Sequence, residues 1–376
     1  MEPAAPAAPA RPEALAVALA AAATEGRGVR FTGAGTKLSW GRAPGEPTAE
    51  LSTARLDRLV EHNAGDLTAV LEAGMPLARA QATFAEAGQM LALDPPDDGA
   101  TVGGVVATAD SGPLRARYGG VRDLVLGVRA ALADGTIVKS GGKVIKNVAG
   151  YDLAKLFAGS FGTLGAIVEL SVRLHPLPPA TATALGRSSD PDALGRAASE
   201  LAHAALEQQS LDVRFGAGEG MVLSRFGGAA PHPQAEAAER LLRAAGLATE
   251  LVDDDEPLWA AQRAGQRSAT GAVVRIAAVQ TELPAVLRTA RRHDAELVGR
   301  AAVGLSWLRL EDRSPAEAAA AVEALRDDFG ATVLDRPPEL AVDPWGPVDP
   351  GALSLTHRVK ERFDPTDACN RGVFLV

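Results

Sequence analysis

A single cysteine, Cys369, stands in 376 residues. That scarcity excludes an internal disulfide, an Fe–S cluster held by this chain alone and a Cys-rich zinc site, and it fits a reducing compartment. Histidine is also sparse: His62, His175, His203, His232, His293 and His357 are scattered singly, and no pair has the short spacing of a metal site, so no metal is expected. Positive charge is in deficit, with 38 Lys and Arg against 47 Asp and Glu, a net charge of -9 and a pI near 5.3. Nothing here builds a field for phosphate backbones, and a nucleic-acid partner is excluded. Long apolar runs are missing too. The alanine-dominated run 14–23 has about ten residues, half of the roughly 20 a transmembrane helix needs. Glu2, Arg11, Pro12 and Glu13 ahead of it make a poor secretory n-region. No direct membrane insertion is expected, and the chain reads as cytoplasmic, or membrane-peripheral through partners. The two common phosphate motifs are absent as well: Lys37 does not follow P-loop spacing, and Leu38 stands where GxGxxG needs its third glycine.

What is present is 47% hydrophobic residues, enough apolar material for two cores. Residues 1–12 are almost all Ala and Pro and read as a disordered tail. A helix is expected over 14–24, ended by Gly26 and Gly28, and a short strand over 29–32. Residues 33–37 follow, a small-residue loop that is either an anion-binding nest of amides or a tight strand-to-loop turn. Residues 51–60 read as a strand or a short helix, residues 67–72 as a strand after an intervening turn, and Pro76 and Gly88 bracket an amphipathic helix over 75–88. Residues 94–99 form a loop that 101–108 extends as a second glycine-bearing turn. Asp134-Gly135 joins 124–133 and 136–140 into a hairpin. Pro176, Pro178 and Pro179 break regular structure and mark a boundary. Beyond it, strands and helices alternate from 211 to 334, with one long strand over 301–310, which suggests a lobe of ferredoxin-like character. The fold class is α+β.

The densest stretch is 141–170, GGKVIKNVAGYDLAKLFAGSFGTLGAIVEL. Gly159, Gly162 and Gly165 recur every three residues, so the main chain can lie against something flat or charged with no Cβ between. From the residues alone a cofactor cradle and plain tight turns both remain open. The string KNVAGYDLAKLFAGSFGTLG closely resembles the flavin-binding segment of glycolate-oxidase FAD-binding subunits. These are members of the FAD-linked oxidase family with a vanillyl-alcohol-oxidase, or PCMH-type, FAD-binding domain. Residues 33–41, 94–112 and 117–123 resemble that family in the same order.

The resemblance implies a PCMH-type FAD-binding domain over 13–178, an α+β cap domain over 181–340, and a C-terminal helix and tail over 341–376 returning to the flavin domain. It implies FAD, with Gly33, Ala34, Gly35, Thr36 and Lys37 at the pyrophosphate. Pro95, Thr101, Gly103, Gly104, Thr108 and Ser111 extend that contact, and Lys146, Asn147, Gly165 and Ile167 lie nearer the nucleotide or ring. Relatives with covalent FAD carry histidine where this chain has Thr36, so the flavin is expected to be noncovalent. Relatives that oxidise 2-hydroxy acids carry an HGxGNxH-type segment in the cap, and no such segment occurs here. The catalytic residues are therefore unknown, and three readings stay open. The first is a subunit working with a homologous catalytic flavoprotein subunit and an Fe–S subunit on a small 2-hydroxy acid. The others are a stand-alone FAD-dependent oxidoreductase and a non-catalytic partner. Cys369 is a reactive thiol or an idle buried one, and Arg275 and Arg309 bind a carboxylate or form surface ion pairs. Arg371 replaces the proline of the family's Asn-Pro-Gly tail.

Overall fold

A computed structural model describes residues 7–46, 48–96, 99–143 and 152–375. The chain forms two compact units, the first from residues 1–111, 119–177 and 347–376, the second from 112–118 and 178–346.

The first unit is built on a five-stranded antiparallel sheet in the order Leu59–Asn63, Thr68–Glu72, Ala166–Arg173, Val125–Ala131 and Ile137–Gly141. Its second strand, Thr68–Glu72, is buried at every position, and the central strand Ala166–Arg173 at six of eight. The hairpin forms as expected, with Gly135 at φ 84° and the Thr136 amide held by Asp134 Oδ1 at 2.8 Å. Beside this sheet, Gly28–Thr32 and Thr48–Ser52 pair in parallel, and Ala7 joins Leu51. Helix Pro12–Thr24 buries Leu15, Ala16 and Leu19 against Val29, Leu51, Ala131 and Val168. Helix Leu77–Ala85 is shorter than the bracket 75–88. Residues 101–108 depart from expectation. Thr101 Oγ1 accepts the Gly104 amide at 3.2 Å and caps a helix, Val102–Thr108, which the glycine pair disguises as a turn.

The second unit is one eight-stranded antiparallel sheet that repeats a βαββαβ pattern. Strands Ala180–Ser188, Gln208–Gly216, Glu219–Gly228 and Ala248–Val252 form one half, and Ala272–Ala277, Glu296–Arg300, Leu305–Leu310 and Gly330–Val333 the other. Each half runs fourth, first, third, second from its edge, and the two second strands, Gln208–Gly216 and Glu296–Arg300, pair across the middle. The ferredoxin-like character is therefore present twice. One face buries Leu194, Leu201, Leu242, Leu287, Val322 and Leu325 from four helices. The other receives helix Glu256–Ala264 through Trp259 and Gln262. The strand expected over 301–310 begins only at Leu305, because residues 301–304 form a turn in which Gly304 takes φ 67° and a side chain would collide with the Ala278 carbonyl.

Candidate functional site

In the first unit an open cleft lies where strand Gly28–Thr32 runs out into loop 33–38. Three further segments wall it: helix Val102–Thr108, residues 161–167 and the tail at Asn370 and Val373.

The loop wall is bare backbone. The amides of Gly33, Ala34 and Gly35 donate to no other group among the described residues, and Gly35 takes φ 78°. A side chain on Gly33 would collide with Thr101 Oγ1, so the loop sits directly on the helix cap. The Lys37 ammonium turns inward. It lies 3.1 Å from Asp110 Oδ2, with the two side chains 6% and 2% exposed, and 5.7 Å from the Trp40 ring centre. Asp110 neutralises the loop's cation, so the loop offers an anion its unspent amides.

The helix wall shows Gly104 and Thr108 to the cleft. Gly103 also lines it, yet a methyl there would stand 2.6 Å from Ala73 Cβ and 2.7 Å from the Ala73 carbonyl oxygen. Its lack of a side chain serves close packing against the sheet. The third wall is shaped by left-handed backbone: Phe161 has φ 54°, Gly162 φ 73° and Gly165 φ 147°. The Phe161 amide donates to Ala107 O at 2.8 Å, fastening this wall to the helix.

The tail closes the ring. Val29 N donates to Ala368 O at 2.6 Å and Asn370 N to Val29 O at 2.8 Å, so the tail runs alongside the first strand. Asn370 Oδ1 accepts the Phe31 amide at 2.8 Å while its Nδ2 donates to Phe161 O at 2.5 Å, bridging two walls. Arg371 Nε donates instead to Asp367 O at 2.7 Å. Cys369 is fully buried, and burial pushes its thiol well above its ordinary value. An inert thiol results.

Of the residues singled out from sequence, Gly33, Ala34, Gly35, Thr36, Lys37, Thr101, Gly103, Gly104, Thr108, Gly165 and Ile167 line one cleft. Pro95 and Ser111 are buried outside its lining. Lys146 and Asn147 lie outside the described residues. Trp40, Phe161, Arg30 and Arg42 also line the cleft; Trp40 and Phe161 lie within segments 33–41 and 141–170 without being singled out there, and Arg30 and Arg42 carry no such signal. Asn370 was signalled only by the tail's resemblance. In the second unit, Arg309 pairs with Glu296, and Arg275 lies on the neighbouring strand. Among the described residues, no His, Cys, Asp and Glu group is arranged to hold a metal ion, and no helix is long and apolar enough to cross a membrane.

Unspent amides on a bare loop beside an open cleft suit the phosphates of a nucleotide cofactor, and they make the first unit of this α+β chain a candidate nucleotide-cofactor domain. Residues 3–141 match the FAD binding domain family, and FAD is the cofactor. Over 125 residues the chain is 43% identical to glycolate oxidase subunit GlcE of Escherichia coli, a span covering 33% of this chain and 36% of that one. It is 40% identical over 148 residues to D-lactate dehydrogenase of Archaeoglobus fulgidus (39% and 33% covered), and 35% over 182 residues to glycolate oxidase subunit GlcD of Bacillus subtilis (48% and 38%). The matched spans cover 33–38% of these relatives' own lengths. Among solved structures, alkyldihydroxyacetonephosphate synthase shares the fold at a TM-score of 0.69 and 15% identity, over 97% of this chain and 76% of that one. The chain resembles FAD-linked oxidoreductases.

Proposed function

We propose that this chain is the FAD-binding subunit of a glycolate-oxidase-type complex. That complex oxidises a small 2-hydroxy acid, glycolate to glyoxylate, together with a homologous catalytic flavoprotein subunit and an Fe–S subunit. The observation that carries the reading is the row of unspent amides at Gly33, Ala34 and Gly35, set in a cleft and within the span that matches the FAD binding domain, in a chain similar over 125 residues to a glycolate oxidase subunit. Bound FAD supplies the two-electron acceptor for the hydroxyl-bearing carbon. The chain's own part is to hold it: loop amides against the pyrophosphate, Gly104 and Thr108 beside the nucleotide, Ile167 and Phe161 as apolar wall. Thr36 offers no imidazole for a covalent link, so the flavin is held noncovalently. Acid precipitation is expected to release the chromophore into the supernatant, and colour retained in the pellet would count against this.

A stand-alone hydroxy-acid oxidoreductase is the second reading, favoured by the likeness to D-lactate dehydrogenase. Anaerobic stopped-flow on the purified chain with glycolate and D-lactate separates the two. The subunit reading expects slow, incomplete bleaching alone and fast bleaching on co-expression with the partner flavoprotein and Fe–S protein. Rapid, complete bleaching of the lone chain overturns it.

A further inference from the structure

The C-terminal helix Pro350–Phe363 lies on the surface of the first unit, and its only buried residue is Lys360. A surface helix is ordinarily fixed by an apolar stripe. Here the edge-to-face contact of Phe363 with Phe157, 5.6 Å between ring centres, is joined by an ammonium. Lys360 is 5% exposed. Its Nζ donates to Thr163 O at 3.0 Å, Cys369 O at 3.0 Å and Asp364 Oδ2 at 2.6 Å, which spends its three protons. Asp367 Oδ1 stands 3.2 Å away. Asp364 is spent as fully: Oδ2 takes the Cys369 amide at 2.7 Å, and Oδ1 takes the Ala368 amide at 3.1 Å and the Thr366 hydroxyl at 2.9 Å. Burial works against its ionisation, but Lys360 and these amides outweigh it and hold the carboxyl below its ordinary value.

The two segments this pair joins are two walls of the cleft. Thr163 lies between Gly162 and Gly165, and Cys369 immediately precedes Asn370, and those three flanking residues line the cleft. Asn370 then carries the tie onward to Phe31 and Phe161. A methyl on Gly162 would stand 2.7 Å from Asn370 Nδ2, so the two walls are in close contact. We infer that Lys360 and Asp364 are positioning residues for the cofactor. This buried charged clasp, which touches no part of the cleft itself, sets the spacing between wall 161–167 and the tail, and with it flavin affinity. The inference rests on the reading that the cleft holds FAD.

The test uses the full-length chain with Lys360→Met, which keeps length and removes every donor, and Asp364→Asn, which keeps shape and removes charge. FAD affinity is read by fluorescence titration of the apoprotein, and the bound flavin by its visible circular dichroism at saturation. Hydrogen exchange is followed over 161–165 and 368–373. The clasp predicts FAD binding weakened about tenfold or more, an altered visible dichroism, and faster exchange confined to those two segments, with Thr68–Glu72 unchanged. A merely structural role lowers the melting temperature of the apoprotein but leaves affinity and dichroism at the wild-type values, which overturns the inference. Should Lys360→Met not fold, Asp364→Asn decides on the same readouts. Failure of the wild-type chain to bind FAD overturns the cofactor reading instead. The clasp is then judged on exchange alone, and unchanged exchange in the variants overturns it.

Discussion

Two adjacent glycines, Gly103 and Gly104, lie on the same helix wall and do opposite things. A methyl on Gly103 meets the sheet at Ala73, at 2.6 and 2.7 Å, whereas one on Gly104 meets only Thr101 Oγ1 at 3.1 Å and projects into the cleft. Gly103→Ala is therefore expected to destabilise the apoprotein by about 1–3 kcal/mol, the usual penalty for overpacking. Gly104→Ala should leave apoprotein stability within about 1 kcal/mol, since alanine favours a helix, and weaken FAD. Thermal melts of the apoproteins beside flavin titrations check both, and equal behaviour of the two variants would refute the distinction. Gly165 belongs with Gly103: at φ 147° and 2.7 Å from the Ala131 carbonyl oxygen, its alanine variant should lose about 1–3 kcal/mol before any cofactor is added. Spacing in a sequence marks where the backbone is bare. It does not say what lies against it, and for Gly103 and Gly165 the neighbour is the protein's own sheet.

Elements whose signals are local were legible. The Asp134-Gly135 hairpin and the alanine-rich first helix follow from turn chemistry and propensity, and loop 33–37 from its run of small residues. Helix Val102–Thr108 was not, because its cap bond, Thr101 to Gly104, outweighs a pair of glycines that argue against helix. Nor was strand Ala180–Ser188. Its alanines and threonines give a weak alternation, and its burial comes from lying between Glu219–Gly228 and Ala248–Val252. Helix Glu256–Ala264 escaped for a related reason, being fixed to the sheet by polar groups. Gln262 Nε2 donates to Asp212 Oδ2 at 2.9 Å and to Val213 O at 3.0 Å. The Arg300 guanidinium reaches Asp212 at 2.7 Å, bonds Gln266 and lies 4.8 Å from the Trp307 ring centre. Burial dominates Asp212 and, despite Arg300, pushes its carboxyl from 3.8 up to about 6. A carboxyl raised on folding contributes stability that is fully present below pH 3.8 and is lost as pH rises through about 6. Between those values the wild-type chain should lose stability relative to Asp212→Asn, whose side chain does not titrate. Paired melts from pH 4 to 7 measure this, and a stability difference that stays constant across the window would show that Asp212 does not titrate there.

At the scale of the whole molecule, the cleft is discontinuous in sequence. Its walls come from residues 30–44, 101–108 and 161–167 and from Asn370 and Val373, while residues 178–346 fold as part of the other unit. The resemblance carried by 33–41 and 141–170 pointed at the walls but gave little weight to the tail, since Arg371 breaks the expected Asn-Pro-Gly. The tail's hold on the first strand is made by main-chain bonds of Val29 and by Asn370, which are indifferent to residue 371. Arg371→Pro should therefore leave FAD affinity within about twofold, well under the 1.4 kcal/mol that a tenfold change represents. Removal of 347–376 takes away Lys360, Asp364 and Asn370 together. A chain ending at Gly346 is expected to lose FAD, while the isolated segment 178–346, which holds the complete eight-stranded sheet with its helices, should still unfold cooperatively and show no flavin absorbance. Flavin content on purification and denaturant melts of the two truncations give the answer. FAD retained by the chain ending at Gly346 would mean that the three amino-terminal walls suffice, and would remove the tail from the cofactor site.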